Sequence, residues 1–129
     1  MSEDELLELE PAVLTPYTYK AEVISIYDGD TMLLQIDLGF DIKHRITVRL
    51  ARINAPEVRG ESRLEGFESR DFLIDKIFGE EGSVDNSVIV KTYKDRKEKY
   101  GRYLAEVYLN GSCLNDELVR LGLAIYKEY

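Results

Sequence analysis

One cysteine, one histidine and no long apolar run: these scarcities bound the 129-residue chain before any motif does. A lone Cys113 excludes an internal disulfide and a cysteine-cluster metal site, and reads as a small apolar residue. His44, in a strand-like stretch, is expected to be exposed or structural rather than catalytic. No apolar stretch nears the roughly 20 residues that span a bilayer, so no membrane partner is expected. The amino terminus, MSEDELLELE, is acidic where a secretory leader is basic and then apolar. The chain therefore reads as cytoplasmic, or as secreted if a leader was removed.

What is present fits one domain able to bury a core without staples. The net charge of −8 argues at first against a polyanionic partner. Its distribution matters more than its sum. Residues 1–10 hold five acids and no base, leaving 17 bases against 20 acids in the remainder. Lys91 to Arg102, KTYKDRKEKYGR, holds six bases and two acids, a local basic patch compatible with nucleic acid.

Residues 1–16, with Pro11 and Pro16, read as an acidic flexible arm preceding a domain over 17–129. Strand patterns run through YTYKAEVISIY, TMLLQIDL, HRITVRLARI, SVIVKTY and YLAEVYL. Asp28-Gly29 and Asn110-Gly111 are hairpin turns. Leu64 to Phe78 predicts a helix, with Ser62 and Glu65 at capping-box spacing and Gly79 as its stop. Asn115 is expected to cap a short second helix closed by Gly122. The pattern predicts an α+β domain, a small barrel with two or three helices packed on it, although periodicity alone fits other α+β layouts too.

The candidate site gathers Asp28, Asp30, Arg49, the NAPE segment (Asn54 to Glu57) and Arg102. Phosphodiester hydrolysis needs positive charge on the non-bridging oxygens, a positioned water and a base for its proton. Two guanidiniums supply the grip. A hard divalent cation on oxygen ligands supplies Lewis acidity. A carboxylate supplies the base. Taken singly each residue has a plainer reading: Asp28-Gly29 a turn, Asp30 a strand end, Arg102 a surface base, Arg49 and Glu57 a structural salt bridge.

Taken in order, DGDT, Arg49 five residues before NAPE, GFESRDF, KYGRYLAEVY and LNDELVRLGLA resemble the staphylococcal nuclease (thermonuclease) family from about Tyr17 to Ala124. The resemblance implies a five-stranded OB-fold barrel. It also implies a calcium-dependent nuclease that cleaves DNA and RNA to 3′-phosphate and 5′-hydroxyl ends; a monomer is expected. It assigns calcium ligation to Asp30, Asn54 and the Ala55 carbonyl, with Asp28 supporting through water. Arg49 and Arg102 take the phosphate, Glu57 acts as general base, and Tyr100, Lys99 and Lys97 contact the nucleic acid. Asn54 stands where the family usually has an aspartate, which weakens calcium binding or retunes the ion. Tyr126 and Tyr129 are out of register with the family's base-stacking tyrosines. The rival class is an OB-fold module that binds single-stranded nucleic acid or a protein without catalysis; loss of the Arg49, Glu57 and Arg102 set would have favoured it.

Overall fold

Alternation of apolar residues sets the architecture. The computed structural model of the protein describes residues 17–79, 86–95 and 102–127. Within these, β1 (Thr18–Asp28), β2 (Thr31–Asp37) and β3 (Lys43–Leu50) form an antiparallel meander. A short β4 (Ile53–Asn54) and a 3₁₀ turn (Gly60–Ser62) lead into helix α1 (Arg63–Phe78). Then follow β5 (Ser87–Lys94), β6 (Tyr103–Leu109), a short β7 (Ser112–Cys113), helix α2 (Leu114–Arg120) and a short β8 (Ile125–Tyr126).

The sheet order is β3-β2-β1-β5-β6-β7, and a parallel pairing of β3 with β6 closes it into a five-stranded barrel. Closure removes the exposed edges that an open sheet would leave. Val23, Met32, Leu34, Val48, Leu50, Val90 and Val107 point inward, each fully or almost fully buried. Helix α1 adds Leu73 and Ile77 to this core, and α2 adds Leu114 and Leu118. No helix among the described residues is long and apolar enough to cross a membrane.

The ends of the elements show which turn chemistry holds. Asn110 and Gly111 both adopt positive φ, the geometry expected for a two-residue hairpin turn. Gly79 ends α1 at φ 77°. After α2, Gly122 N–H donates to the Val119 carbonyl and Leu123 N–H to that of Leu118, a Schellman pair. Two caps differ from expectation. Ser62 precedes α1 but makes no side-chain cap bond; its hydroxyl donates to the Glu57 carbonyl at 3.5 Å instead. Asn115 lies inside α2, whose N-cap is Cys113. Fully buried, it accepts from Val107 N–H and donates to the carbonyls of Ala51 and Ala105, tying the helix to the β3 exit and to β6. A side chain with that many partners across the core serves better there than at a helix end.

Candidate active site

The β1–β2 turn answers why two aspartates follow each other so closely. Asp28 pairs with Thr31, so the turn residues are Gly29 and Asp30, one position later than an Asp-Gly turn would place them. Gly29 is present for space. A Cβ there would lie 2.6 Å from the Cβ of Ser69 on α1 and 2.8 Å from that of Ala55. The turn can therefore press between helix and loop, and Asp30 is carried inward.

Asp30 is buried, and its carboxylate organises the surroundings. Oδ2 accepts from the Ala55 N–H at 2.9 Å and from Arg49 Nη2 at 3.2 Å. Oδ1 accepts from the Thr31 hydroxyl at 3.1 Å. Arg49, at the end of β3, also donates from Nη2 to Asn54 Oδ1 at 2.6 Å. The turn, β3 and the NAPE segment are thus joined through one guanidinium and one carboxylate. Among the described residues Arg49 pairs with Asp30 rather than with Glu57, the rival pairing that the sequence suggested.

Asp28 accepts the Asp30 N–H at 3.1 Å and is itself buried. Burial first, and the hydrogen bond and charge of Asp30 second, push its carboxyl up from the usual range to about 6. Two carboxylates this close favour a cation between or beside them.

Arg102 stands just before β6, anchored elsewhere. Its Nη2 donates to Asp95 Oδ2 at 2.7 Å, and Asp95 N–H donates to the Arg102 carbonyl at 2.9 Å. Asp95 is almost fully buried while the arginine is a third exposed, so the guanidinium is held yet open to a ligand. Asp95 was hidden in the sequence inside the basic stretch; nothing marked it except its place at a strand end.

Glu57 is exposed on the loop after Pro56. Its backbone is set from beneath by α1: a Cβ on Gly66 would lie 2.2 Å from the Glu57 carbonyl oxygen. Arg59, two residues on, donates to the Tyr27 hydroxyl and lies over its ring at 5.7 Å. Glycines 29 and 66 are the positioning residues that sequence reading missed, since a close approach between segments leaves no local signature. Tyr100, Lys99 and Lys97 lie outside the described residues. Tyr126 is exposed, bonded to Asp116 Oδ1 at 3.0 Å, and pairs across β4 and β8 with Ile53, the residue before Asn54.

Could the cluster hold a metal? Among the described residues no three His, Cys, Asp or Glu side chains gather as a cation site. The expected set instead has two carboxylates, an amide oxygen and a backbone carbonyl. All are hard oxygen donors, which suits calcium or magnesium rather than zinc or copper. The residues fit such an ion by chemical type, with Arg49 sharing two of the same oxygens.

Comparison with known proteins agrees with this geometry. The family model "Staphylococcal nuclease homologue" matches residues 47–129. The chain belongs to that family. An "Uncharacterized endonuclease" of Haemophilus influenzae is 34% identical over 108 residues, covering 83% of this chain and 52% of its own. A thermonuclease of Staphylococcus hyicus is 30% identical over 115 residues, covering 87% of this chain and 60% of its own. An SPbeta prophage-derived endonuclease of Bacillus subtilis is 30% identical over 105 residues, covering 75% and 30% respectively. The chain thus spans between about a third and three-fifths of these relatives' length.

Proposed function

We propose that this member of the staphylococcal nuclease family is a metal-dependent phosphodiesterase acting on DNA or RNA, with calcium as the expected ion. The observation that carries the reading is the hydrogen-bonded union of Asp30, Arg49 and the NAPE segment, with Arg102 separately anchored on buried Asp95. These two guanidiniums are fixed by carboxylates rather than left to search for a geometry. They can meet the non-bridging oxygens with little reorganisation, and such preorganised charge is often the largest catalytic term.

Glu57, exposed and held at its backbone by α1, takes the proton of the attacking water. Asp30, Asn54 and the Ala55 carbonyl would hold the metal, with Asp28 behind them. The ion, when bound, supplies Lewis acidity to the phosphate. Because Arg49 bridges Asp30 and Asn54, a metal held there would share their oxygens with the guanidinium, and metal loading and phosphate binding would be mutually dependent. Products with 3′-phosphate and 5′-hydroxyl ends follow from the family resemblance.

The deciding test is cleavage of single-stranded DNA with calcium, with magnesium or manganese, and with chelator, beside Glu57→Gln. Calcium-dependent cleavage that the variant loses upholds the reading. No cleavage by a folded protein under any ion assigns the chain to the binding-module class. Asn54→Asp restores a carboxylate, and calorimetry should show calcium binding tightened by about 1–2 kcal/mol, the scale of charge-tuned sites. Unchanged affinity would remove Asn54 from the ligand set.

A further inference from the structure

The barrel is open at the end of β1 and β2 away from Asp30. There the alternation that fills the core continues with different residue types. Inward of β1, Val23 and Ala21 give way to Tyr19; on β3, Val48 and Ile46 give way to His44; on β5, Val90 gives way to Thr92 and Lys94. Tyr103 occupies the corresponding place at the start of β6, and Tyr17 stands at the rim, 68% exposed.

Together these residues line a cavity of ≈ 630 Å³, the size of many small-ligand sites. Among the described residues the lining contains no Asp or Glu. It offers rings with hydroxyls, one lysine and one histidine. A flat aromatic ligand that carries negative charge answers that composition, and a purely apolar peptide does not.

The cavity also adjoins Arg102 along the chain. Lys94 and Tyr103 form the last pair of the β5–β6 ladder. The next residue on each strand is Asp95 and Arg102, the ion pair that presents a guanidinium to phosphate. A strand of nucleic acid held at Arg102 would meet the mouth within a residue's reach.

We propose that this barrel mouth is a base-stacking subsite for single-stranded nucleic acid, in which Tyr17, Tyr19 and Tyr103 receive a base and Lys94 meets its phosphate. The subsite rests on the nuclease reading of Arg102 for its placement. Stacking on such rings tolerates any base, so the subsite adds affinity for unpaired strands without reading sequence.

The test uses the full chain and a fluorescein-labelled oligothymidylate of about eight nucleotides, within the span of one OB-fold. Binding is followed by fluorescence anisotropy in chelator. Cleavage of the same oligomer is compared with that of a thymidine nitrophenyl phosphodiester, too short to reach the mouth. Tyr17→Ala and Tyr103→Ala should each weaken oligomer binding about tenfold and raise its KM in step. Turnover at saturation and hydrolysis of the short diester should stay at wild-type values. Tyr103→Phe, which keeps the ring, should restore binding. Lys94→Gln should reduce the dependence of log Kd on log salt by about one unit or slightly less.

Wild-type Kd in both alanine variants, with melts showing them folded, overturns the subsite. Unaltered Kd with a changed sedimentation coefficient reassigns the mouth to a second copy of the chain. Oligomer binding that is mouth-dependent but never followed by cleavage upholds the subsite and removes the nuclease reading. Cleavage indifferent to the mouth does the reverse.

Discussion

Arg49 and Arg52 lie three residues apart at the exit of β3, and each joins side chains from different segments of the chain. Arg49 turns toward buried Asp30 and toward Asn54, its own side chain 20% exposed. Arg52 turns outward, 44% exposed, to Glu106 on β6 and Asp116 on α2 at 2.9 Å each. The bonds of Asp116 and Glu106 raise the Arg52 pKa further, and Arg52 in turn lowers that of Asp116. Arg52 also adopts φ +67°, a conformation costly for any residue with a Cβ. Arg49 meets the carboxylate and the amide oxygen of the candidate site. Arg52 is spent on fixing a strained corner between β3 and β4. Pairing alone therefore does not identify a catalytic arginine; what its partner carboxylate does elsewhere decides.

Conservative exchange gives the widest separation between the two. Arg49→Lys keeps the charge but loses the planar fork, and cleavage of single-stranded DNA should fall by roughly 10²- to 10³-fold. Thermal melts should shift by only a few degrees. Arg52→Lys should leave turnover within a few-fold of wild type. Equal losses in the two variants would mean that the strained corner, not the guanidinium, governs catalysis.

A second contrast lies between the two glycines that let the site close. Gly29 faces side-chain carbons, whereas Gly66 faces the backbone of Glu57. Backbone cannot rotate away, so Gly66→Ala must push the Glu57 loop outward. The expected cost is about 1–3 kcal/mol in urea unfolding, the range for overpacking. Cleavage should fall further than that stability loss predicts, because Glu57, the proposed general base, moves with its loop. Full activity in Gly66→Ala would show that Glu57 needs no support from α1.

These glycines mark what the sequence does and does not disclose. The barrel strands and α1 were legible because alternation and helical spacing are local signals repeated over many residues. Arg49, Glu57 and the aspartates were legible because their order and spacing resemble a family. Asp95 was not, since an acid within a basic run looks like a solvated charge until burial is known. Asn115 was misplaced for a related reason: its cap-like chemistry is local, but its partners at Ala51, Ala105 and Val107 are set by packing. Arg52 gave no sign of its backbone strain, because φ is decided by how β3 must turn into β4.

The Arg52 corner can itself be dissected. Arg52→Ala loses the ion pairs and keeps the strained φ, and should destabilise by about 1–2 kcal/mol. Arg52→Gly loses the same bonds but adopts positive φ freely. The glycine variant should therefore be the more stable of the two in thermal or urea melts. The opposite ranking would mean that the corner relaxes once the guanidinium is gone, and that Arg52 creates the strain it is here credited with holding.

The smallest effect separates an aspartate of each region by pH, Asp28 of the candidate site and Asp116 of the Arg52 corner. Asp28 binds its proton more tightly in the folded protein, at about 6, than at the ordinary value of 3.8. Between those values the folded state holds more protons than the unfolded chain, so this group's contribution to stability falls as pH rises and levels off above about 6. Asp116, held low by Arg52, has the opposite sign: its contribution is present above the ordinary carboxylate range and is lost as pH falls through its lowered value. Asp28→Asn should gain on wild type as pH rises from about 4 to 7, by on the order of 1 kcal/mol after screening. Unfolding by urea in chelator at stepped pH reads this directly. In calcium the gain should shrink or reverse, because the ion relieves the same crowded charge that burial imposes on Asp28. A gain independent of calcium would place the metal away from the Asp28–Asp30 pair.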